Sequence, residues 1–156
     1  MALRKIITQK DATLRKTSRQ VTKFDDRLGQ LLDDMAETMY DAEGVGLAAV
    51  QVAMLRRAIV IDLGDEDGLI ELINPEIIER SDELQYEEEG CLSIPGEYME
   101  TIRPAYVKVK AQDRHGEWHE YEGEDLKARC FCHEIDHLDG ILFIDRLNPN
   151  PRPREE

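Results

Sequence analysis

The spacing of two histidines near the end of the chain restricts its fold more than any other feature. His133 and His137 lie four positions apart, and Glu134 follows the first of them directly. On an α-helix this spacing places both imidazole rings on one face, about one turn apart, where they can bind a single metal ion. Glu134 can then hold a water molecule beside the metal without binding the metal itself. The pattern therefore predicts a helix with a metal site and a reaction in which water is activated.

The surrounding sequence predicts that this helix is bounded and buried. Glu124 or Asp125 suits the N-cap position, and Gly140 suits the position just after the last turn. One stripe of the helix is apolar and consists of Phe131, Ile135 and Leu138. The opposite stripe consists of Cys130, His133, Glu134 and His137. A helix with two such stripes is expected in the centre of the domain, packed on one side and facing a site on the other.

The rest of the chain predicts one more long helix and a set of strands. Residues 25–43 repeat leucine and methionine at helical spacing, and Gly44 can end that helix. Residues from about 58 to 114 contain β-branched and alternating segments separated by turns, and a turn at 113–116 leads into a further strand. Strands followed by one late helix favour an α+β domain, with mostly antiparallel sheets around the central metal-binding helix and an N-terminal helix.

Length and charge limit the domain organisation and the partners. A chain of 156 residues fits one domain, and we expect a catalytic domain at 1–147 followed by an irregular, proline-rich tail at 148–156. The net charge of -14 argues against direct DNA binding through phosphates and against docking on anionic membranes. No apolar run approaches the ~20 residues that span a bilayer, and the N-terminus is too polar for a secretory signal. We therefore expect a cytoplasmic protein.

A catalytic metal site of this kind uses three protein ligands, so a third ligand is needed. One group of metalloproteases places a histidine six residues after the second one, but Phe143 occupies that position here. Another group uses a glutamate from a further helix downstream, but the residues after His137 are proline-rich and end at Glu156. Neither protease arrangement fits. The third ligand is therefore expected upstream of the helix.

Cys91 is the favoured third ligand among the upstream residues. It follows Gly90, which lets the backbone approach closely, and a thiolate is a strong ligand for zinc or ferrous iron. His115 and His119 flank a predicted turn and are typical of exposed polar residues. Cys130 is a rival on the helix itself, but a ligand so close along one helix gives poor tetrahedral geometry. We expect Cys91 to complete the site with the two histidines.

Three segments of the chain, in this order, resemble those of the bacterial peptide deformylases. That family is marked by a Gly-x-Gly-x-Ala-Ala-x-Gln motif, a Glu-Gly-Cys-x-Ser motif and a His-Glu-x-x-His helix. The corresponding residues here are 44–51, 89–93 and 133–137, and the resemblance extends through most of the chain. It implies a metal-dependent hydrolase that removes the N-formyl group from N-formylmethionine of nascent polypeptides and releases formate.

The resemblance also implies a metal centre. Cys91, His133 and His137 would bind one divalent metal ion per chain, ferrous iron in the cell, with zinc, nickel or cobalt as substitutes. Glu134 would act first as a general base toward water and then as a general acid toward the departing amine, which agrees with the chemistry of a carboxylate placed beside a metal.

Substrate contacts follow from the same resemblance. The side chain of Gln51 and the backbone N–H of Leu92 would bind the formyl oxygen, where negative charge develops during the attack. Gly46 and Gly90 would lie beside the substrate backbone, and Val45 would help to line the methionine pocket. The implied partners are the formylmethionyl N-termini of nascent chains, with transient proximity to the ribosome.

Two other functions are weighed against an active deformylase. A related protein could bind formylated N-termini without turnover, or it could be a metalloprotease that cleaves peptide bonds. The presence of Gln51, Cys91 and Glu134 favours the active deformylase, because the loss of any one would indicate an inactive relative.

The chain departs from the family pattern at two points. Cys132 stands before the first histidine where the family often has glutamine, and the longer C-terminal extension of the family is missing. Neither departure is expected to affect metal binding. We also expect an ion pair between Glu89 and Arg103 that fixes the loop of Cys91.

Overall fold

Two sheets and two helices make up residues 2–151, the part of the chain that the computed structural model describes. The helices are α1 (Asp26–Asp41) and α2 (Leu126–Leu138). The strands are β1 (Gly46–Ala48), β2 (Ala58–Asp62), β3 (Leu69–Arg80), β4 (Leu84–Cys91), β5 (Ile94–Pro104), β6 (Tyr106–Gln112) and β7 (Trp118–Glu124). Three short 3-10 helices lie at Ala12–Arg15, Ala49–Val52 and Phe143–Arg146.

The strands form one large sheet and one separate hairpin, and every strand pair is antiparallel. The large sheet has the order β1-β2-β3-β6-β7, while β4 pairs only with β5. Helix α2 contacts strands of both sheets, and α1 contacts β1 and β2. The predicted α+β class with mostly antiparallel sheets is therefore confirmed.

Strand β2 separates two hydrophobic layers. Ile59 and Ile61 face the layer shared with α2, whereas Ala58 and Val60 face the layer shared with α1. A strand buried on both faces has apolar residues at consecutive positions instead of alternating with polar ones. This explains the unbroken β-branched run of the sequence and places α1 and α2 on opposite sides of the large sheet.

Helix α1 forms as its sequence predicts. The Asp25 side chain accepts a hydrogen bond from the Leu28 N–H at 3.1 Å, which caps the first turn. The helix ends at Asp41, two residues before the predicted end, and the Gly44 N–H then donates to the Met39 carbonyl at 2.9 Å. The repeated leucines and methionines form its buried face.

Helix α2 begins without the side-chain cap that the sequence suggests. Asp125 occupies the N-cap position, but its φ is 51° and its carboxylate makes no capping hydrogen bond. Its backbone is held by distant residues instead: its N–H donates to the Ala105 carbonyl at 3.0 Å, and its carbonyl accepts from Gln85 Nε2 of β4 at 2.8 Å. At the other end Gly140 has a φ of 73°, and a β-carbon there would collide with the carbonyl of Arg15. Tertiary contacts therefore fix both ends of the helix.

Strand β3 continues through Asn74 and Pro75, two residue types that are rare inside strands. Asn74 adopts a φ of 52° at an irregularity in the pairing with β6. Its side chain accepts from the Val21 N–H at 2.8 Å and donates to the Val21 carbonyl at 2.9 Å. These two bonds stabilise the bulge, so the strand can extend to Arg80.

The predicted tail is only partly within the described residues. Residues 148–151 contain no helix or strand, and 152–156 lie outside the described range. The Asn148 N–H donates to the Glu100 carbonyl at 3.0 Å, so the start of this segment contacts β5. The boundary at 147 stays a prediction. Within residues 2–151, neither helix has the length and apolar character needed to cross a bilayer.

Candidate metal centre and substrate cleft

The structure brings Cys91, His133 and His137 together. One ligand atom from each lies within 4.8 Å of the other two, and Cys91 Sγ is 3.4 Å from His137 Nε2. Cys91 comes from the end of β4, while the histidines come from successive turns of α2. The rival ligand Cys130 is not part of this cluster. A thiolate and two imidazoles are a donor set that suits zinc or ferrous iron, so these residues fit a metal ion.

The other two histidines lie away from this cluster. Both are exposed, as expected: His115 lies in the turn between β6 and β7, and His119 lies at the start of β7. His119 lies near Asp113 and Glu117 in a second group of potential ligands, but these are surface residues. The carboxylate of Asp113 already accepts hydrogen bonds from the backbone N–H groups of His115 and Glu117.

Glu89 fixes the orientation of His133. Its carboxylate lies 2.6 Å from His133 Nδ1 and accepts hydrogen bonds from Arg103 Nη2 and Thr101 Oγ1, each at 2.7 Å. With Nδ1 bonded to Glu89, Nε2 of His133 is the nitrogen left for the cluster. Burial alone would raise the pKa of Glu89, but the hydrogen bonds from His133 and Arg103 lower it to about 2. Glu89 is therefore an ionised acceptor for His133.

Arg103 links this carboxylate to the metal-binding helix. Its guanidinium is almost completely buried, and it bonds to Glu89 and, at 2.6 Å, to Asp136 of α2. Burial by itself would lower the pKa of Arg103, but its two carboxylate partners raise it. The expected ion pair between Glu89 and Arg103 is confirmed. This ion pair belongs to a wider network than expected, which includes His133 and joins the β4–β5 hairpin to α2.

Glu134 lies beside the cluster with one oxygen free. It is 5% exposed, and its Oε1 has no hydrogen-bond partner among residues 2–151. Burial raises its pKa to about 7. A carboxylate with a pKa near neutrality can take up and release a proton at physiological pH. Glu134 is therefore suited to move a proton at this site.

Gln51 is held with its amide nitrogen toward Cys91. Its Oε1 accepts from the Ala48 N–H at 3.0 Å, and its Nε2 donates to Ser93 Oγ at 3.1 Å and lies 3.7 Å from Cys91 Sγ. The side chain is 1% exposed. These contacts fix which end of the amide faces the cluster, so a donor group is oriented in advance.

A cleft of about 420 Å³ opens onto this group. Eight of the nine residues expected at the site line it: Val45, Gly46, Gln51, Gly90, Cys91, Leu92, His133 and Glu134. His137 is fully buried behind them. Sequence reasoning missed Leu126 and Arg129 on the same wall. Their spacing of seven and four residues before His133 places them on the same helix face and could have indicated their position.

Comparison with known proteins decides the family. The model of the polypeptide deformylase family matches residues 3–152. The chain belongs to the peptide deformylase family. The peptide deformylase of Finegoldia magna is 54% identical over 147 residues, which cover 94% of this chain and 91% of that protein. The peptide deformylase of Caldicellulosiruptor bescii is 58% identical over 147 residues, covering 94% and 87%.

A solved structure agrees with this assignment. The crystal structure of the Thermotoga maritima peptide deformylase matches with a TM-score of 0.91 and 46% identity, covering 94% of this chain and 99% of that one. The chain is therefore a hydrolase that removes the formyl group from an N-terminal methionine. Deformylases depend on a metal, and the Cys-His-His cluster can hold one.

Gly46 has no room for a side chain beside Glu134. A β-carbon on Gly46 would lie 2.5 Å from Glu134 Oε2 and 3.0 Å from its carboxyl carbon. We therefore expect Gly46→Ala to displace the carboxylate and lower kcat for deformylation at least ~10-fold, while the metal content stays normal. Steady-state kinetics and metal analysis of the purified variant test this. As a control, Gly29→Ala probes a glycine of α1 whose β-carbon would come no closer than 3.6 Å to another side chain. Equal kcat in Gly46→Ala and the wild type would contradict the steric account.

Proposed function

We propose that Cys91, His133 and His137 hold one divalent metal ion, ferrous iron in the cell, and that Glu134 moves the proton during deformylation. The observation that supports this most is the convergence of the three donor atoms, within 4.8 Å of one another, at the base of a cleft that also contains Glu134. A divalent ion at this site would lower the pKa of water to about 7 and polarise the formyl carbonyl. The bonds that change are then the new C–O bond to water and the C–N bond that breaks.

Glu134 serves both halves of this reaction. Its free oxygen can accept a proton from water as the water attacks the formyl carbon. The same oxygen can then donate that proton to the methionine nitrogen as the C–N bond breaks, so that the products are formate and a free amine. The pKa of about 7 suits both directions of transfer.

Gln51 and Leu92 are proposed to bind the formyl oxygen. The Gln51 amide points toward Cys91, and Leu92 lies in the turn between β4 and β5 that follows Cys91. An N–H donor from each would stabilise the negative charge that develops on that oxygen. Gly46 and Gly90 would allow the substrate backbone to approach closely, and Val45 would contact the methionine side chain. The proposed substrates are formylmethionyl N-termini of nascent chains, met in the cytoplasm near the ribosome.

A peptide-bond protease is less consistent with this site. Phe143, at the position where one protease group has its third histidine, is buried and stacks on His133 with ring centroids 6.3 Å apart. Cys91 supplies the third donor from a hairpin instead. A binder without turnover would not need a partner-free carboxylate oxygen directed into the site. Both observations favour the active deformylase.

Metal analysis of two cysteine variants tests the proposed ligand set. Protein purified without oxygen should contain about one ion per chain, with iron as the main metal. Cys91→Ala should lose most of the ion and nearly all activity, because one of three ligands is gone. Cys130→Ala should retain the ion, since Cys130 lies outside the cluster. Metal retained in Cys91→Ala but lost in Cys130→Ala would overturn the ligand assignment.

A further inference from the structure

A second cavity lies on the opposite side of α2 from the metal centre. It has a volume of about 610 Å³, within the usual range for small-molecule sites. Helix α2 contributes Cys132, Ile135 and Asp136 to its floor, Asp139 follows the helix directly, and β3 and β5 contribute its walls. None of its lining residues also lines the substrate cleft. The cavity is therefore separate from the cleft that would receive the formylated peptide.

The lining of this cavity carries one more positive than negative side chain, whereas the whole chain has a net charge of -14. Four guanidinium groups line it, from Arg57, Arg80, Arg103 and Arg146. Three carboxylates line it as well, from Glu76, Asp136 and Asp139. Each of these carboxylates already forms an ion pair with a basic side chain. Whether a guanidinium group can bind a ligand therefore depends on the ion pairs that each arginine forms.

The pairing leaves two guanidinium groups with unused capacity. Arg57 binds Asp139 at 2.9 Å, and the buried Arg103 is held by Asp136 at 2.6 Å and by Glu89. Arg146 donates to the same Asp136 carboxylate through Nε at 3.1 Å and Nη2 at 3.3 Å, so one carboxylate serves two arginines and Nη1 of Arg146 is left for another acceptor. Glu76, the remaining lining carboxylate, pairs outward with Lys110 at 3.4 Å.

Arg80 has no partner of its own. No carboxylate among residues 2–151 forms an ion pair with it, and its side chain is exposed at the rim of the cavity. An arginine lining a cavity without a counter-ion is a donor fork available to an oxyanion.

The shape and lining point to an organic anion. Ile77, Leu84 and Ile102 supply apolar surface beside the arginines. A carboxylate has two oxygens and one charge, which a single guanidinium satisfies, whereas a phosphate monoester has three free oxygens and up to two charges. We propose that this cavity binds a small phosphorylated molecule, with its phosphate held by Arg80 and Arg146 and its organic part against the apolar wall. The phosphate-binding residues Arg80 and Arg146 line the second cavity and not the substrate cleft.

Titration of the metal-loaded protein with phenyl phosphate tests the proposal. Isothermal titration calorimetry should detect saturable binding, and Arg80→Gln should weaken it at least ~10-fold because a charge-assisted hydrogen bond is lost. Arg80 makes no ion pair, so its removal should leave folding and kcat/KM for deformylation unchanged. Arg19→Gln is the matched control, since Arg19 is exposed but lines neither cavity.

Four outcomes would overturn the proposal. They are an absence of saturable binding, equal affinity in Arg80→Gln, equal affinity for benzoate, and loss of binding when the metal is removed. The third would exclude phosphate as the recognised group, and the fourth would assign the binding to the metal centre. Binding of phenyl phosphate at Arg80 does not depend on the residue roles proposed for deformylation.

Discussion

Deformylation should fall at least ~10²-fold when Glu134 is replaced by Gln, with little change in metal content. The amide has nearly the same shape as the carboxylate but cannot accept the proton of water. Glu134 lies outside the three-residue cluster, so the ion should remain bound. Steady-state kinetics with a formylated methionyl peptide, together with metal analysis of the same sample, measures both quantities.

Two further variants make the Glu134 result interpretable. Glu117→Gln removes an exposed carboxylate far from the cleft and should leave kcat unchanged. Glu134→Asp keeps the carboxylate but shortens it, so it should retain more activity than Glu134→Gln. If Glu134→Gln keeps near-normal kcat with a full complement of metal, Glu134 does not move the proton.

The second large effect is expected from Arg103→Gln. This change removes the guanidinium that the buried Glu89 shares with the half-buried Asp136. Asp136 keeps Arg146 as a partner, but the buried charge of Glu89 loses its arginine. Breaking a buried ion pair by removing one partner costs about 3–5 kcal/mol of unfolding free energy. Urea denaturation measures this loss. Arg114→Gln is the matched control, because Arg114 pairs with Asp33 and Glu71 nearer the surface and should lose far less stability.

The same network should also affect the metal. Glu89 holds His133 through its Nδ1, and loss of such an orienting partner typically lowers metal affinity 10–100-fold. Glu89→Gln keeps the size of the side chain and tests this if Arg103→Gln fails to fold. A Glu89→Gln protein that binds metal as tightly as the wild type would show that the hydrogen bond does not orient His133.

The metal centre could be predicted because short motifs, within a few residues of one another in the chain, contain its residues. The spacing of His133 and His137 determines their common face once the segment is helical. Cys91 is predicted as the third ligand because Phe143 and the residues downstream of His137 do not fit that role. The structure places its sulfur 3.4 Å from His137 Nε2. Gln51 was identified through its motif, and its orientation toward Cys91 is a result that the motif does not contain.

Other features depend on contacts between distant segments and leave no local pattern. Glu89 and His133 are 44 positions apart, and no spacing rule links a strand residue to a helix residue at that distance. Asp125 has the residue type of a cap, but the backbone contacts to Ala105 and Gln85 fix its conformation instead. Asn74 belongs to a residue type that is rare inside strands, and its bonds to Val21, 53 positions away, hold it within β3.

The most direct test of the central claim is formate release from formyl-Met-Ala by the metal-loaded protein. The cluster of Cys91, His133 and His137 beside Glu134 predicts one formate and one free amine for each substrate consumed, with no cleavage of the unformylated peptide Met-Ala-Ser. Chelation of the metal should abolish the reaction, and added ferrous iron should restore it. A metal-loaded protein that releases no formate, or that cleaves Met-Ala-Ser instead, would contradict the account.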